Sequence, residues 1–262
     1  MSLKIGWFTT ARGPGSMGMF SNVMNAIQTK AIDAEISFVF SNREKGEFDA
    51  TDNFFQFVEE NGIPIITLSS KKFKQVHNTD DSDINELPAW RIKYDSVISD
   101  LIASYEYDIG VLGGYMLIFS DHFCKKHYLL NLHPALPNGP TGTWQEVIID
   151  LIRSKSIDSG VMMHQAIKEV DRGPVATYCQ FSIQDQENNH LWEKANNDSS
   201  LIGDKEIENS ALFLDIRERG LSVEPKFILA TLQAFAEKRI TVTNAVMQAQ
   251  RAELPINISD KI

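Results

Sequence analysis

Residues 131–144 read NLHPALPNGPTGTW and place an amide and an imidazole at the end of a short apolar run. In an extended segment the side chains of Asn131 and His133 point to the same side, and Pro134 keeps His133 out of helical geometry. An amide and an imidazole on one side can stabilise an oxyanion and move a proton, which is the chemistry of acyl transfer. The alternative is structural: Asn131 would cap a turn, and His133 would be a buried histidine with satisfied hydrogen bonds.

A second polar group lies in the segment MMHQAIKEVDRGPV, residues 162–175. Asp171 lies on a turn, where an aspartate commonly hydrogen-bonds its own backbone. If Asp171 instead meets His133, its carboxylate would orient the imidazole ring and raise the pKa of that ring. His164 lies inside an apolar strand, a position more typical of a structural histidine than of a chemical one.

A glycine-rich stretch at residues 13–18, Gly-Pro-Gly-Ser-Met-Gly, follows the first predicted strand and has the spacing GxGxxG. Such a stretch can present backbone N–H groups and a helix N-terminus to a phosphate. A dinucleotide site would also need an acidic residue after the second strand, where this chain has Ser41, Asn42 and Arg43. Three interpretations stay open: a phosphate ligand other than a dinucleotide, NADP with Arg43 on its extra phosphate, and a plain loop.

The apolar pattern predicts the scaffold that must position these residues. Apolar runs bounded by turn residues alternate with helical segments, which is typical of an α/β fold with a doubly wound, mostly parallel sheet. Connections of this length favour parallel strands and right-handed crossovers. The predicted strands lie at residues 3–9, 35–40, 64–67, 108–113 and 128–132. The predicted helices lie at residues 20–31, 51–61, 88–104 and 120–126.

The pattern changes after residue 142. A helix to about residue 155 precedes two strand-like runs, VMMHQA and PVATYCQFSI, which we predict to form an antiparallel hairpin whose turn contains Asp171. Residues 184–200 are polar and unpatterned, which indicates a surface excursion that carries Trp192 on an apolar spot. Helices at residues 205–219 and 224–238 follow.

Length and apolar content favour a single domain over residues 1–240, followed by a C-terminal tail at residues 241–262. The tail is weakly patterned, and no internal repeat is visible along the chain. We therefore expect all candidate residues to belong to one scaffold.

Composition bounds the function classes. The 262 residues carry a formal charge of −10, which disfavours general binding to nucleic acid or to an anionic membrane. Two cysteines are too few for a disulfide framework, and the chain begins without a signal segment, so we expect a cytoplasmic protein. The apolar run at residues 109–119 is too short and glycine-rich to span a bilayer. Cys124 and His127 share a CxxH spacing, but no second pair accompanies them, so we predict no metal site.

These motifs resemble those of the folate-dependent formyltransferases, and within them the phosphoribosylglycinamide (glycinamide ribonucleotide) formyltransferases. The resemblance runs from KIGWFTT at the start of the chain to about residue 240. Its most specific part is the pair Asn-x-His-Pro and Asp-x-Gly-Pro. The segments that carry it are VFSN at residues 39–42, LGGYM at 112–116, NLHPALP at 131–137, VDRGPV at 170–175 and EPKFILATLQAFAEKRI at 224–240.

The resemblance implies formyl transfer from 10-formyltetrahydrofolate, as a co-substrate, to the amine of a phosphoribosyl glycinamide, without a metal. It implies that Asn131, protonated His133 and Asp171 are catalytic and that His164 supports them. The implied folate-binding residues are Tyr115, Met116, Leu117, Ile118, Phe119 and Val170. The implied acceptor-binding residues are Gly13, Gly15, Ser16, Ser21, Asn22 and Glu224. Residues 1–105 would then be the acceptor half of the domain, and residues 106–240 the catalytic and folate half.

The chain departs from the family pattern at both ligand sides. The family's phosphate turn corresponds either to Gly15-Ser16 or to Phe20-Ser21-Asn22, Leu117 stands where an arginine is usual, and NGPTGTWQEV replaces a PGLHTH type of segment. Another acceptor amine, such as that of an amino sugar nucleotide, therefore stays open, as does hydrolysis of the formyl donor. An NADP-dependent oxidoreductase and a non-catalytic folate-binding protein are the alternatives from other classes. We expect small-molecule partners, and a homodimer stays open.

Overall fold

The computed structural model describes residues 2–77, 87–197 and 203–262, which form a central sheet flanked by helices. The strands are β1 (Leu3–Thr9), β2 (Ala34–Ser41), β3 (Ile65–Thr67), β4 (Ile109–Leu112), β5 (Leu129–His133), β6 (Asp158–Gln165), β7 (Val175–Ser182), β8 (Ile240–Thr243), β9 (Val246–Ala249) and β10 (Ile256–Asn257). The helices are α1 (Pro14–Gln28), α2 (Asp49–Glu60), α3 (Ser70–His77), α4 (Ala89–Leu101), α5 (Asp121–Lys126), α6 (Trp144–Arg153), α7 (Asn189–Asn197), α8 (Asp204–Glu208) and α9 (Ala211–Ala236). A short 3₁₀ helix spans Ser259–Lys261.

Eight strands form one sheet in the order β10-β7-β6-β5-β4-β1-β2-β3. Neighbours from β3 to β5 pair in parallel, whereas β6 runs antiparallel to both β5 and β7. This is the predicted doubly wound, mostly parallel α/β sheet, with the predicted hairpin present as β6 and β7. A second antiparallel hairpin, β8 with β9, lies near the C-terminus. The strand order reverses between β1 and β4, and ligands of such sheets bind at the carboxyl ends of strands beside the reversal.

Helices cover both faces of the sheet. Successive residues of β1 alternate between them. Trp7 belongs to one core cluster with Phe20 of α1 and Phe227 of α9, and Phe8 belongs to a second cluster, on the other face, with Tyr94 of α4. Burial on both faces explains why the central strands read as continuous apolar runs in the sequence. Within the described residues, no helix is both long and apolar enough to cross a membrane.

Helix α1 begins earlier than the sequence pattern predicted. The predicted helix covered residues 20–31, whereas α1 covers Pro14–Gln28. Gly13 is the N-cap residue with an extended backbone, and Pro14 follows at the start of the helix, where the missing proline N–H costs no helical hydrogen bond. The glycine-rich stretch is therefore the cap and first turn of a helix rather than a loop, and the free N–H groups of that turn face outward from the helix end.

Helix α9 covers most of the predicted helix at residues 224–238 and the second half of the predicted helix at residues 205–219. The sequence predicted helices at 205–219 and 224–238, but the structure has the short α8 and then one continuous helix of 26 residues. The predicted break lies beside Gly220 and Pro225, residue types that weaken an isolated helix. The helix continues because it packs against α1 and against β6 of the sheet, and tertiary packing outweighs local propensity.

The local sequence pattern was also insufficient to predict several shorter helices and strands. Helix α3 has no buried residue, α7 lies in the predicted excursion, and β8 to β10 lie in the predicted tail. Trp192 of α7 is buried, and its Nε1–H donates to the carbonyl oxygen of Ile183 at 2.7 Å. Strand β10 pairs in parallel with β7, so the tail completes one edge of the main sheet. The last residues of the predicted excursion, 198–200, lie outside the described residues.

Candidate active site

A cleft of about 710 Å³ opens at the carboxyl ends of β1, β4 and β5, beside the reversal of strand order. Its floor contains Asn131, His133, His164 and Asp171. One side is built from the first turn of α1 together with α9, and the other from the segment that follows β4. The four polar residues predicted from the two sequence motifs therefore meet at the centre of the cleft.

The pairing of β5 with β6 brings the amide and both imidazoles together. Asn131 lies opposite His164 in the antiparallel register. Nδ2 of Asn131 lies 3.1 Å from Nε2 of His164 and donates a hydrogen bond to Oδ1 of Asp171 at 3.4 Å. Nδ1 of His164 donates to the carbonyl oxygen of Gln165 at 3.0 Å, which fixes the plane of this buried ring.

Asp171 lies on the turn between β6 and β7 with a positive φ of 57°. Its Oδ2 atom accepts the N–H of Gly142 at 3.2 Å and lies 3.4 Å from Nδ1 of His133. Burial raises the pKa of Asp171, but the neighbouring imidazoles of His164 and His133 and the hydrogen bond from the Gly142 N–H together outweigh burial and leave the pKa below its usual value. The carboxylate is therefore charged at neutral pH.

His133 is 2% exposed, and each of its ring nitrogens lies close to an oxygen atom, Nε2 to that of Pro140 and Nδ1 to that of Asp171. Nε2–H donates to the carbonyl oxygen of Pro140 at 2.8 Å, which assigns the proton of the neutral ring to Nε2. Burial lowers the pKa of His133, and the Pro140 carbonyl and Asp171 oppose this change without reversing it. From the sequence we expected Asp171 to raise this pKa and the ring to be protonated. Burial is the stronger effect, so the ring is mainly neutral at pH 7 in the free protein.

The predicted folate-side residues all line the cleft. Tyr115, Met116, Leu117, Ile118 and Phe119 follow β4, and Val170 faces them from the β6–β7 turn. The rings of Tyr115 and Phe119 stack with centroids 4.6 Å apart, whereas the other apolar side chains form the rim. Met116 is 50% and Ile118 48% exposed. This side of the cleft presents an apolar surface of the kind that binds a flat organic ring.

The predicted acceptor-side residues divide into two groups. Gly13, Gly15 and Ser16 line the cleft at the start of α1. Ser21 and Asn22 lie outside the cleft lining, because they are one to two turns further along the helix. Ser21 donates to the carbonyl oxygen of Gly18 at 3.3 Å, and Asn22 donates to that of Pro225 at 2.6 Å. Of the two alignments of the phosphate turn, only Gly15-Ser16 faces the cleft.

Helix α9 contributes a charged pair to the same side. Glu224 is 4% exposed, and its Oε1 atom accepts a hydrogen bond from Nη1 of Arg217 at 2.8 Å. The Arg217 guanidinium lies over the ring of Trp144 at 4.4 Å. Burial raises the pKa of Glu224, and Arg217 opposes this change.

Arg217 was not predicted from the sequence because it belongs to no motif. The helical spacing of Arg217 and Glu224, two turns apart on one side, was the one available signal.

No group of three or more His, Cys, Asp or Glu side chains is arranged to hold a metal ion in the part of the chain that the structure describes. His127, the second residue of the CxxH spacing, is bound instead through Nε2 to Ser99 and through Nδ1 to Tyr107, each at 2.6 Å. Cys124 is buried, and burial raises the pKa of its thiol to about 12.

The chain is similar to proteins of one known enzyme family. Residues 13–199 match the formyl transferase family. The phosphoribosylglycinamide formyltransferase of Dictyostelium discoideum is 29% identical over 166 residues, which are 58% of this chain and 72% of that protein. The structure of the phosphoribosylglycinamide formyltransferase from Coxiella burnetii superposes with a TM-score of 0.65 at 19% sequence identity. The match covers 95% of this chain and 94% of the Coxiella chain. A formyltetrahydrofolate deformylase structure from Pseudomonas syringae pv. tomato has a TM-score of 0.64 at 16% identity and covers 95% of this chain and 66% of its own.

Proposed function

This chain belongs to the formyl transferase family, and from that premise we propose that it transfers the formyl group of 10-formyltetrahydrofolate to the amine of a phosphoribosyl glycinamide, a step of purine biosynthesis. The observation that carries the proposal is the convergence of Asn131, His133 and Asp171 at the floor of one cleft. Curated relatives named phosphoribosylglycinamide formyltransferase support the choice of acceptor. We expect the reaction to take place in the cytoplasm.

The reaction begins when the acceptor amine attacks the formyl carbon. A new C–N bond forms, and the electron pair of the carbonyl moves to its oxygen. One Nδ2–H of Asn131, in exchange for its long hydrogen bond to Asp171, and the Nε2–H of His133 donate to this oxyanion, an interaction that is usually the largest single contribution to catalysis of acyl transfer. A neutral imidazole is sufficient for this role, so the lowered pKa of His133 is compatible with it. The substrate oxygen thereby replaces the Pro140 carbonyl oxygen as the acceptor of the hydrogen bond from Nε2 of His133.

Asp171 accepts the proton that the attacking nitrogen loses after the C–N bond has formed. Its carboxylate is charged at neutral pH, and a water molecule between the amine and Oδ1 or Oδ2 completes the transfer. The oxyanion then collapses, the bond from the formyl carbon to N10 of the folate breaks, and N10 takes up the proton. His164 supports these steps by accepting a hydrogen bond from Asn131 at Nε2, which holds the amide in place. The mechanism uses no metal ion.

The two substrates enter from opposite sides of the trio. The folate lies against Tyr115, Met116, Leu117, Ile118, Phe119 and Val170. On the acceptor side, the N–H groups of the first turn of α1 and the hydroxyl of Ser16 bind the phosphate, as helix N-termini do for anions. Glu224 accepts hydrogen bonds from ribose hydroxyls, while Arg217 keeps its carboxylate oriented. Gly13 and Gly15 allow the phosphate to approach the backbone closely.

An acceptor-dependent assay tests this proposal. Purified protein is mixed with 10-formyl-5,8-dideazafolate and glycinamide ribonucleotide, and the deformylated folate is followed by absorbance. Signal that requires the acceptor supports the proposal. Equal signal with and without acceptor identifies a hydrolase. Signal that appears only with a different amine, such as an amino sugar nucleotide, identifies that amine as the acceptor in place of glycinamide ribonucleotide.

A further inference from the structure

Arg217 of α9 is held on two sides at the acceptor side of the cleft. Its guanidinium lies 4.4 Å from the ring centre of Trp144, and its Nη1–H donates to Oε1 of Glu224 at 2.8 Å. The Trp144 ring in turn packs against Phe213, one turn earlier in α9, with ring centroids 5.7 Å apart. Because one face and one nitrogen of the guanidinium have partners, the long arginine side chain is confined to one orientation.

The second terminal nitrogen of Arg217, Nη2, lies against the first turn of α1. A Cβ atom placed on Gly15 would be 3.7 Å from Nη2 of Arg217 and 3.7 Å from Oε2 of Glu224. Within the residues that the structure describes, Nη2 has no hydrogen-bond acceptor. A charged N–H donor thus remains available beside this turn.

The first turn of α1 has unused donors of its own. The N–H groups of Gly15 and Ser16 lie at positions where a helix supplies no acceptor. Ser16 is 8% exposed and lines the cleft, and its hydroxyl has no partner in the described part of the chain. A buried hydroxyl without a partner is uncommon in folded proteins and indicates a ligand at this position. The N–H groups, the hydroxyl and Nη2 of Arg217 all suit an anion.

Glu224 makes a cation necessary at this position. A phosphate on the first turn of α1 would lie near the Glu224 carboxylate, and two negative groups at such a distance repel each other. The guanidinium of Arg217 is planar and has two terminal nitrogens, so it can bind the carboxylate through one and a phosphate through the other. Arg12, the other arginine in the cleft lining, is exposed and has no comparable support.

We propose that Arg217 binds the phosphate of the acceptor through Nη2 while Nη1 binds Glu224, and that Trp144 holds the guanidinium in the plane that this requires. The identity of the acceptor rests on the proposed function. Arg217 is then a specificity-determining residue, because an amine without a phosphate leaves its Nη2–H and the Ser16 hydroxyl without partners. The site therefore selects a phosphorylated amine.

Two variants that differ only at Arg217 test the proposal. E224Q removes the carboxylate, and R217M/E224Q removes the guanidinium as well, so neither protein contains a buried carboxylate that has lost its partner. We expect the Kd of ribose 5-phosphate, measured by isothermal titration calorimetry, to be at least about tenfold higher for R217M/E224Q than for E224Q, since a charge-assisted hydrogen bond is lost. If Arg217 acted only by orienting Glu224, the two Kd values would be equal, and that result overturns the proposal.

The matched control is R219M/E224Q, which makes the same replacement two residues further along α9. Arg219 binds Asp185 and Asp215 and does not line the cleft. The Kd of this control should equal that of E224Q. Thermal unfolding verifies that all three variants are folded.

Trp144 gives a test that keeps Arg217 and covers the case in which R217M/E224Q does not fold. W144A removes the ring beneath the guanidinium, whereas W144F keeps an aromatic ring there. We expect the Kd of ribose 5-phosphate to rise about threefold or more in W144A and by less than about twofold in W144F. A W144A protein that binds ribose 5-phosphate as the wild type does overturns the proposal.

Failure of this proposal and failure of the proposed function give different results. A wild-type protein that formylates glycinamide ribonucleotide, with equal Kd values for E224Q and R217M/E224Q, overturns the role of Arg217 alone. A wild-type protein that binds ribose 5-phosphate through Arg217 but transfers no formyl group supports the phosphate site and contradicts the proposed function. A wild-type protein that does not bind ribose 5-phosphate overturns the phosphate site.

Discussion

The Nε2–H of His133 donates a hydrogen bond to the carbonyl oxygen of Pro140 at 2.8 Å. Pro140 lies in the loop between β5 and α6, and the same loop donates the N–H of Gly142 to Asp171 at 3.2 Å. One loop thus binds two members of the proposed catalytic trio. The substrate oxygen must replace the Pro140 carbonyl at Nε2, so this loop belongs to the catalytic machinery in the proposed mechanism.

Removal of the imidazole or of the carboxylate charge should abolish most of the activity. His133→Ala deletes a donor to the oxyanion, and Asp171→Asn removes the group that accepts the amine proton, so we expect each to lower kcat at least about 10²-fold. Steady-state assays with the formyl donor and acceptor measure the change, and circular dichroism checks the fold. His122→Ala, at an exposed position of α5, is the matched control and should retain wild-type turnover. Near-normal turnover of either variant would remove that residue from the mechanism.

Gly142 offers a test of the loop. Its φ is +104°, and an added Cβ would lie 2.5 Å from Oε2 of Glu146, so Gly142→Ala should displace the N–H that binds Asp171. We expect kcat to fall about tenfold or more, since small displacements of catalytic groups are costly. Gly46→Ala is the matched control, because Gly46 has φ +85° with open space around it. Both variants should lose about 1 kcal/mol of folding free energy through backbone strain. Equal kcat values for the two variants would contradict the role of the loop.

The sequence was sufficient for elements whose signal is local. Strand β1 matches its predicted range, and β4 and β5 are within one residue of theirs, because buried parallel strands are continuous apolar runs bounded by turn residues. Helix α9 could not be predicted as one element, since the packing that carries it through Gly220 and Pro225 comes from distant parts of the chain.

The residues of the candidate site also divide into those that local sequence reveals and those that only the fold brings together. Asn131 and His133 were visible because they lie on one strand, but Asp171 is 40 residues away from Asn131, and only the resemblance to a family linked them in advance. Arg217 was not foreseen. It lies within a helix where an arginine is ordinary, and its contact with Glu224 depends on which face of that helix the fold buries.

Ser16 and Ser21 distinguish the two alignments of the phosphate turn. Ser16 lines the cleft, whereas Ser21 donates to Gly18 within its own helix. Ser16→Ala should therefore raise the KM of the phosphorylated acceptor about fivefold or more through the loss of one hydrogen bond to an anion. Ser21→Ala is the matched control and should leave this KM unchanged. The reverse pattern would transfer the phosphate site to residues 20–22.

The charge of Glu224 should matter for the acceptor and not for the donor. Glu224→Gln keeps the size of the side chain but weakens acceptance of ribose hydroxyl donors and loses the ion pair with Arg217, so we expect the acceptor KM to rise about tenfold. Initial rates at varied acceptor and varied donor concentrations separate the two KM values. Glu218→Gln, at an exposed position of the same helix, controls for the change of charge. An equal rise of both KM values would argue against a contact with the acceptor.

His127 should make the stability of the protein depend on pH. Burial lowers the pKa of His127 to about 4, and the charges of Lys126 and His122 act in the same direction. The unfolded chain, whose histidine has a pKa near 6.5, then binds more protons than the folded protein between these two values, so stability is full above pH 6.5 and is lost as the pH falls toward 4. A shift of this size corresponds to at most about 3 kcal/mol of unfolding free energy. In His127→Asn the titrating group is absent, and urea unfolding at pH 7.5, 6.0 and 5.0 should show the stability difference from the wild type shrinking as the pH falls. A difference that stays constant across this range would mean that His127 is protonated in the folded protein at the same pH as in the unfolded chain.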